Sequence, residues 1–286
     1  EPPITWKQSG VLPVQPNGLI HMGLSGVVSG VVGDQIIIAG GNNFPEGLPW
    51  EGGIKKYYKR VIVYNNQKDT LLNTFTFNLP ANVAYAAVAQ LKDGIFYAGG
   101  ENENGPLSSA YFIKMSKSQS FEIIELPSLP IAISNAVAVA TENAVYVLGG
   151  ANKEGVSNKV WKLLLNNFKK GWTAQASMPQ PTAFTAAAIA NEHIYIMGGR
   201  CKEANGISKI YKEVYAFDVE NNFWEQKASL PETVSAACAV AIDNNKILFI
   251  GGDKIVVFHE VEMLAAKIAA TTDTTIKKEL TVVKNN

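Results

Sequence analysis

Short apolar runs recur along this chain, and five of them end in the same way, on two glycines. They are Ile36-Ile37-Ile38-Ala39-Gly40-Gly41, Ile95-Phe96-Tyr97-Ala98-Gly99-Gly100, Val145-Tyr146-Val147-Leu148-Gly149-Gly150, Ile194-Tyr195-Ile196-Met197-Gly198-Gly199 and Ile247-Leu248-Phe249-Ile250-Gly251-Gly252. From first glycine to first glycine the steps are 59, 50, 49 and 53 residues. A second marker keeps the same phase, an apolar residue followed by proline: Leu12-Pro13, Leu79-Pro80, Leu129-Pro130, Met178-Pro179 and Leu230-Pro231. In three cases a tryptophan (Trp6, Trp172, Trp224) stands six residues before that apolar residue. Two markers in phase five times over define an internal repeat of about fifty residues.

The last four prolines lie 19, 19, 19 and 20 residues before the next glycine pair. Two strands and a tight turn fill that span. The first strand is rich in Ala and Val (86–89, 136–140, 186–190, 236–241), as crowded inner strands around a central channel require. The turns are short and polar: Lys92-Asp93-Gly94, Glu142-Asn143, Asn191-Glu192 and Asp243-Asn244-Asn245. The second strand is the β-branched and aromatic run, which reads as buried on both faces. Its glycines mark a position where φ is positive or a side chain would collide. A third strand follows a variable loop (61–64, 111–114, 160–164, 214–217), and the Trp-bearing fourth strand closes the unit. Four antiparallel strands per repeat of this length make a propeller blade. The repeat resembles the kelch repeat, whose mark is a glycine pair with a later Trp. The expected fold is therefore an all-β, kelch-type β-propeller of four-stranded antiparallel blades in a single domain spanning 1–286. Five glycine-pair blades are visible, and the N-terminal strand around Trp6 is expected to close the ring, removing an exposed sheet edge. His259 to Ala270 has helical spacing, within an insert or tail at about 253–286 whose one weak strand candidate is Leu280 to Val283.

Composition narrows the chemistry. Of 286 residues, 47% are hydrophobic, enough for a large core, and Lys+Arg and Asp+Glu are 25 each, so no basic stripe argues for nucleic acid. No apolar run is long enough to cross a bilayer. Cys201 and Cys238 are too few for a disulfide framework; Cys238, in Ala236-Ala237-Cys238-Ala239-Val240, reads as a core residue. Three histidines (His21, His193, His259) form no His-x-x-His pair and there is no Cys-x-x-Cys, so neither a metal nor any other cofactor is expected.

In an up-and-down blade the loops between second and third strands share one face with the loops that lead into each blade. Here the second-to-third loops are long, about 42–58, 101–109, 151–158 and 200–211, so function is expected on that face. The first of them is the richest: Asn42 and Asn43, then Trp50-Glu51, then Lys55-Lys56. Pro45 and Pro49 limit its freedom. Glu51 could move protons, Lys55 and Lys56 could hold an anion, and Trp50 offers a face for a sugar ring. A solvated loop with loosely paired charges is the competing reading. Arg200, directly after a glycine pair, is the best lone carboxylate anchor, with a cross-blade hydrogen bond as its structural alternative. The loops leading into the blades carry Asn82, Tyr85, Ser134, Asn135, Thr185 and Ser235, which could line the mouth or cap turns.

The stretch from Ala39-Gly40-Gly41 through Trp50-Glu51-Gly52-Gly53-Ile54-Lys55-Lys56 is similar to a loop of the sialic acid mutarotases (N-acetylneuraminate epimerases), especially their cyclically permuted branch. Gly198-Gly199-Arg200 followed by Ile210-Tyr211-Lys212-Glu213-Val214-Tyr215 resembles another of their blades, and the insert after Gly251-Gly252 fits the same family. The resemblance implies a six-bladed propeller that interconverts the anomers of a sugar acid, N-acetylneuraminate, without cofactor, in the bacterial periplasm or otherwise exported. The chain starts at Glu1 with no visible signal peptide, compatible with an export signal already removed or with a shortened chain. The family's catalytic Glu and Arg lie in a motif like Asn-Gly-Glu-x-Lys-Pro-Gly-x-Arg, which these residues lack; by blade order it would follow the insert. Glu101 follows a glycine pair as that Glu does, which makes it the second catalytic candidate beside Glu51. The alternative from a different class is a non-catalytic kelch propeller that binds carbohydrate or a protein partner on the same face.

Overall fold

A computed structural model describes residues 5, 8, 10–13, 23–67, 70–117 and 120–285, with residues 50, 66–67, 70–76 and 285 described by their backbone alone. Four sheets of four antiparallel strands follow one another along the chain, with neighbours in sequence neighbours in space. Blade 1 comprises Val28–Val32, Gln35–Ala39, Arg60–Gln67 and Thr70–Asn78. Blade 2 comprises Ala87–Leu91, Gly94–Ala98, Ala110–Met115 and Phe121–Leu126. Blade 3 comprises Val137–Ala140, Ala144–Leu148, Val160–Leu164 and Thr173–Ala174, and blade 4 Ala186–Ala190, His193–Met197, Val214–Asp218 and Phe223–Lys227. The glycine-pair runs Gln35–Ala39 and His193–Met197 occupy the same second-strand place, each between a first and a third strand.

The fifth unit departs from the expected pattern. Ser235–Asp243 and Lys246–Asp253 form a hairpin, and no third or fourth strand joins it among the described residues. The chain instead enters helix α1, Val256–Ala270, which covers the stretch of helical spacing, and then α2, Thr274–Asn285. Leu280 to Val283 is thus helical, a correction to the weak strand expected there. Asp273 decides it by capping α2: its carboxylate accepts the amides of Thr275 at 2.8 Å and Ile276 at 3.2 Å. The closing strand expected around Trp6 lies outside the described residues; nearby, the Val11 carbonyl accepts the Tyr64 hydroxyl of blade 1 at 3.0 Å.

The core sits between blades rather than inside one. One cluster joins blades 1 and 2 (Val28, Ile37, Val63 against Ile95, Tyr97, Ile113), a second blades 2 and 3 (Phe96, Leu126 against Val145, Val147, Leu163), and a third blades 3 and 4 (Tyr146, Leu148 against Ile194, Phe217). The second strands of blades 2 and 3 are buried along their whole length because each has a sheet on both sides. In the fifth unit Val240, Ile242 and Ile250 are exposed.

Both glycines of every pair have φ between +62° and +97°. The second donates its amide to the loop leading into the next blade: Gly41 to Val83, Gly100 to Ile133, Gly150 to Thr182 and Gly199 to Val234, all at 2.8–2.9 Å. The same carbonyls press on the first glycine, so that a Cβ at Gly149 would stand 2.1 Å from the Thr182 oxygen. The tryptophans tie blades on the outside. Trp172 Nε1 donates to the Pro127 carbonyl at 2.7 Å and Trp224 Nε1 to the Ala176 carbonyl at 3.0 Å, in each case one blade back.

The first strands of blades 2 to 4 and of the fifth unit line a channel of about 440 Å³ along Val88 to Gln90, Val137 to Ala140, Ala186 to Ile189 and Ala237 to Ala241. The Ala-rich pattern belongs to this wall. Cys238 is exposed, so the core position expected for it is corrected: it alternates with Ala239, which packs on blade 4, and shares the opposite, open face of the strand with the exposed Val240 and Ile242. Both cysteines are unpaired.

Candidate functional site

Each loop leading into a blade lines the channel mouth, a space of about 200 Å³, and one residue of each holds a left-handed backbone. These residues are Gly26, Tyr85, Asn135, Phe184 and Ala236, and all five have φ between 55° and 64°. They form a relay of backbone hydrogen bonds around the mouth. Tyr85 N donates to Gly26 O, Asn135 N to Tyr85 O, Phe184 N to Asn135 O and Ala236 N to Phe184 O, at 2.8–3.0 Å. A left-handed backbone is uncommon for residues other than Gly, Asn or Asp and persists only where the surroundings hold it; at Tyr85 and Phe184 it aims aromatic rings at the mouth.

The residue after each glycine pair bridges to the residue just before this ring: Asn42 to Ser25, Glu101 to Ala84, Ala151 to Ser134, Arg200 to Ala183 and Asp253 to Ser235. Five equivalent positions in sequence thereby become five equivalent positions around the rim. Their charges differ: Glu101 and Asp253 are acids, Arg200 a base, and Asn42 and Ala151 neutral.

The long loops are not irregular, as their variability implies, but fold back as two-residue or three-residue ribbons, for example Asn42–Asn43 with Lys56–Tyr57 and Arg200–Lys202 with Ser208–Ile210. The ribbon of blade 1 leans toward blade 2. Lys55 Nζ donates to Glu101 Oε1 at 3.3 Å, and the Tyr57 hydroxyl donates to the same oxygen at 2.7 Å. The Lys55 ammonium also lies 5.5 Å from the Tyr57 ring centre and 5.4 Å from that of Tyr85. The Tyr85 hydroxyl and Ser25 Oγ are 3.2 Å apart. Burial, and then the hydrogen bond to Glu101, hold the Tyr57 phenol well above its ordinary pKa, so it stays a donor at any physiological pH. Both loads fall on Oε1, and among the described residues Oε2 of Glu101 has no hydrogen-bond partner.

The other sequence candidates are placed as follows. Glu51 closes a single 3-10 turn, Pro49–Glu51, and its Oε2 accepts the Leu48 amide at 2.9 Å. Lys56 is an exposed ribbon residue, and the side chain of Trp50 lies outside what the structure describes. Asn42 is buried and donates to the Ser25 carbonyl, while Asn43 donates to the Gly23 carbonyl and accepts the Tyr58 hydroxyl at 2.7 Å. Arg200 lies over Phe184, with its Cζ 4.2 Å from the ring centre. Of the loop residues weighed for the mouth, Tyr85, Asn135 and Thr185 line it, whereas Ser134 and Ser235 are buried and Asn82 bonds Glu103. Sequence reasoning passed over Tyr57 and Phe184. Phe184 could have been found by register, since it stands where Tyr85 and Asn135 stand in their repeats. For Tyr57 no pattern in the sequence signals that its hydroxyl reaches another blade. Among the described residues no group of His, Cys, Asp and Glu could hold a metal ion.

Radially packed four-stranded sheets tied through glycine pairs define a kelch-type β-propeller. The KLHDC2/KLHL20/DRC7 Kelch-repeats domain matches residues 26–252, and the chain belongs to that family. It is 26% identical over 263 residues to the Kelch-like protein terF of Aspergillus terreus, a match covering 85% of this chain and 54% of that protein. It is also 26% identical over 151 residues to N-acetylneuraminate epimerase 1 of Escherichia coli O6:H1, covering 51% of this chain and 40% of the epimerase. The chain thus spans about half the length, or less, of these curated relatives. The solved structure of YjhT superposes with a TM-score of 0.66 at 15% identity, over 80% of this chain and 77% of that one, a likeness of fold.

Proposed function

We propose that the protein binds a sugar acid of the N-acetylneuraminate type at the channel mouth and interconverts its anomers. The observation that carries this reading is the Lys55–Tyr57–Glu101 cluster, assembled from two blades at the rim, with one carboxylate oxygen fully occupied and the other open. Opening a cyclic hemiketal requires a base for the anomeric hydroxyl proton and a donor to the ring oxygen; reclosure on the other face of the ketone reverses both transfers. Glu101 Oε2 is the base. The Lys55 ammonium beside it is the donor, and the proton Glu101 gains returns to the new anomeric hydroxyl, so no cofactor enters. The Tyr57 phenol, kept protonated, fixes the carboxylate plane. Arg200, two blades away at the equivalent position, serves as the partner for the substrate carboxylate, and the Tyr85 and Phe184 rings offer apolar faces to a sugar. The epimerases among the relatives support the substrate class.

A second reading is supported by the kelch-like relative that matches more of the chain: a non-catalytic module binding a sugar or a protein at the same mouth. NMR of freshly released α-N-acetylneuraminate separates the two. Under the enzymatic reading the wild-type protein accelerates anomer exchange, and Glu101→Gln lowers that acceleration by about 10²-fold or more, the usual contribution of a general base, with folding unchanged. Exchange no faster than in buffer, with the sugar nevertheless bound, would establish the binding module.

A further inference from the structure

Arg200 lies against two aromatic rings, and no side-chain hydrogen bond engages it among the described residues. Its Cζ lies 4.2 Å from the ring centre of Phe184 and 4.6 Å from that of Phe258, the latter in the first turn of helix α1. Among the described residues no hydrogen bond or ion pair engages the guanidinium, and its nitrogens are not sealed from solvent. A guanidinium carries five N–H donors in a rigid fork suited to a carboxylate or similar oxyanion. Contact with the two rings restricts its rotamer freedom without using any of them. Burial draws the Arg200 pKa down, while the charges of Glu262 and Asp253 act in the opposite sense and help keep it ionised.

Helix α1 is not laid there by nonspecific packing. One turn beyond Phe258 on the same helix face, Glu262 is only 7% exposed, although its neighbours Val256, Val257 and Met263 are open to solvent. Its carboxylate accepts the Ser208 amide at 2.7 Å and the Ser208 hydroxyl at 2.9 Å. Ser208 stands opposite Lys202 in the ribbon that begins with Arg200. A carboxylate is buried at a cost of several kcal/mol unless hydrogen bonds and a nearby cation compensate it, and here Ser208 supplies the first and Arg200 the second. One helix therefore grips one ribbon at two points, a latch at Ser208 and a ring against Arg200.

We propose that Arg200 is an oxyanion receptor whose second wall is built by helix α1, with Phe258 forming that wall and the Glu262–Ser208 latch positioning it. The identity of the anion as a sugar acid rests on the function proposed above; the receptor itself does not. Docking of α1 and binding of the anion then favour one another reciprocally.

The test measures affinity for N-acetylneuraminate and for sulfate by titration, together with hydrogen exchange of α1 amides, with exchange of the inner strands as the folding control. Both anions are expected to slow exchange in α1. Phe258→Ala and Glu262→Ala, neither of which touches the anion, are expected to weaken binding by about tenfold each, the equivalent of losing a contact of roughly 1.4 kcal/mol. Tighter or unchanged binding in Phe258→Ala would overturn the proposal, since Phe258 would then be a plug or a bystander. Anion binding that leaves α1 exchange unaltered would overturn it too, while leaving the mutarotase reading standing. Protection of α1 by sulfate without any binding of N-acetylneuraminate would have the opposite meaning: the receptor holds and the substrate assignment fails.

Discussion

Gly149 and Gly251 stand at the same place in their repeats and hold nearly the same backbone, φ +67° and +69°. They differ in what lies beside them. A Cβ on Gly149 would stand 2.1 Å from the Thr182 carbonyl oxygen and 2.9 Å from Met178 Cε, whereas one on Gly251 meets nothing within 4 Å among the described residues. Substitution by alanine thus separates backbone conformation from the contact between blades. In both variants the left-handed backbone costs roughly 1–2 kcal/mol, offset by about 0.4–1 kcal/mol from the stiffer unfolded chain. Only Gly149→Ala must also push the 182 carbonyl aside. That strains a packed wall, at about 1–3 kcal/mol, and breaks the bond from Gly150 N to Thr182 O, now 2.9 Å, at about another 1 kcal/mol or more. Gly251→Ala should therefore cost about 1 kcal/mol and Gly149→Ala about 3–5 kcal/mol. In thermal unfolding followed by circular dichroism the two midpoints should differ by at least ~4 °C, taking roughly 2 °C per kcal/mol for a chain of this size. Gly198→Ala, whose Cβ would meet the Val234 oxygen at 2.4 Å, should resemble Gly149→Ala. Equal losses in all three would refute the account, because the pair would then be conserving φ alone and not a tie to the next blade.

Trp172→Phe removes the bond to the Pro127 carbonyl but keeps an aromatic ring beside Phe96. It should cost about 1–2 kcal/mol in denaturant unfolding, most of it from the orphaned carbonyl, and a neutral result would discard the outer tie. Tyr211, buried at the base of the Arg200 ribbon, has its pKa pushed up from 10.0 to about 12 by burial and then by Cys201. A folded pKa above the unfolded one contributes stability that is complete below pH 10 and is lost as pH rises toward 12. Across that window Tyr211→Phe should therefore gain stability relative to wild type, read from urea midpoints at successive pH values; a constant difference would show that the phenol keeps no excess hold on its proton.

Much of this molecule is written in its repeats. The glycine pairs, the Leu-Pro markers and the alternation of small and branched residues settle the blade and its strand order, because each is a local requirement: a positive φ, a chain reversal, or a strand with sheets on both sides. The same register makes Glu101 and Arg200 equivalent in place and opposite in charge. Other features depend on what the chain meets in space. The fifth repeat carries the glycine pair of the others, yet among the described residues it pairs only as a hairpin, and Asp253 leads into a helix and not a third strand. Leu280 to Val283 has strand-like composition, and an Asp273 cap makes it helix. Cys238 looks like core in its small-residue strand, and packing leaves it on the open face, with Ala239 beside it turned to blade 4. Glu51 and Lys55 are close in sequence and make different contacts, the first capping its own turn and the second reaching Glu101 across a blade boundary. Contacts such as Tyr57 with Glu101, or Phe258 and Glu262 on the Arg200 ribbon, join residues 44, 58 and 54 positions apart. No local preference encodes pairings of that range; they exist only once packing between blades has fixed the distance between one loop and the next.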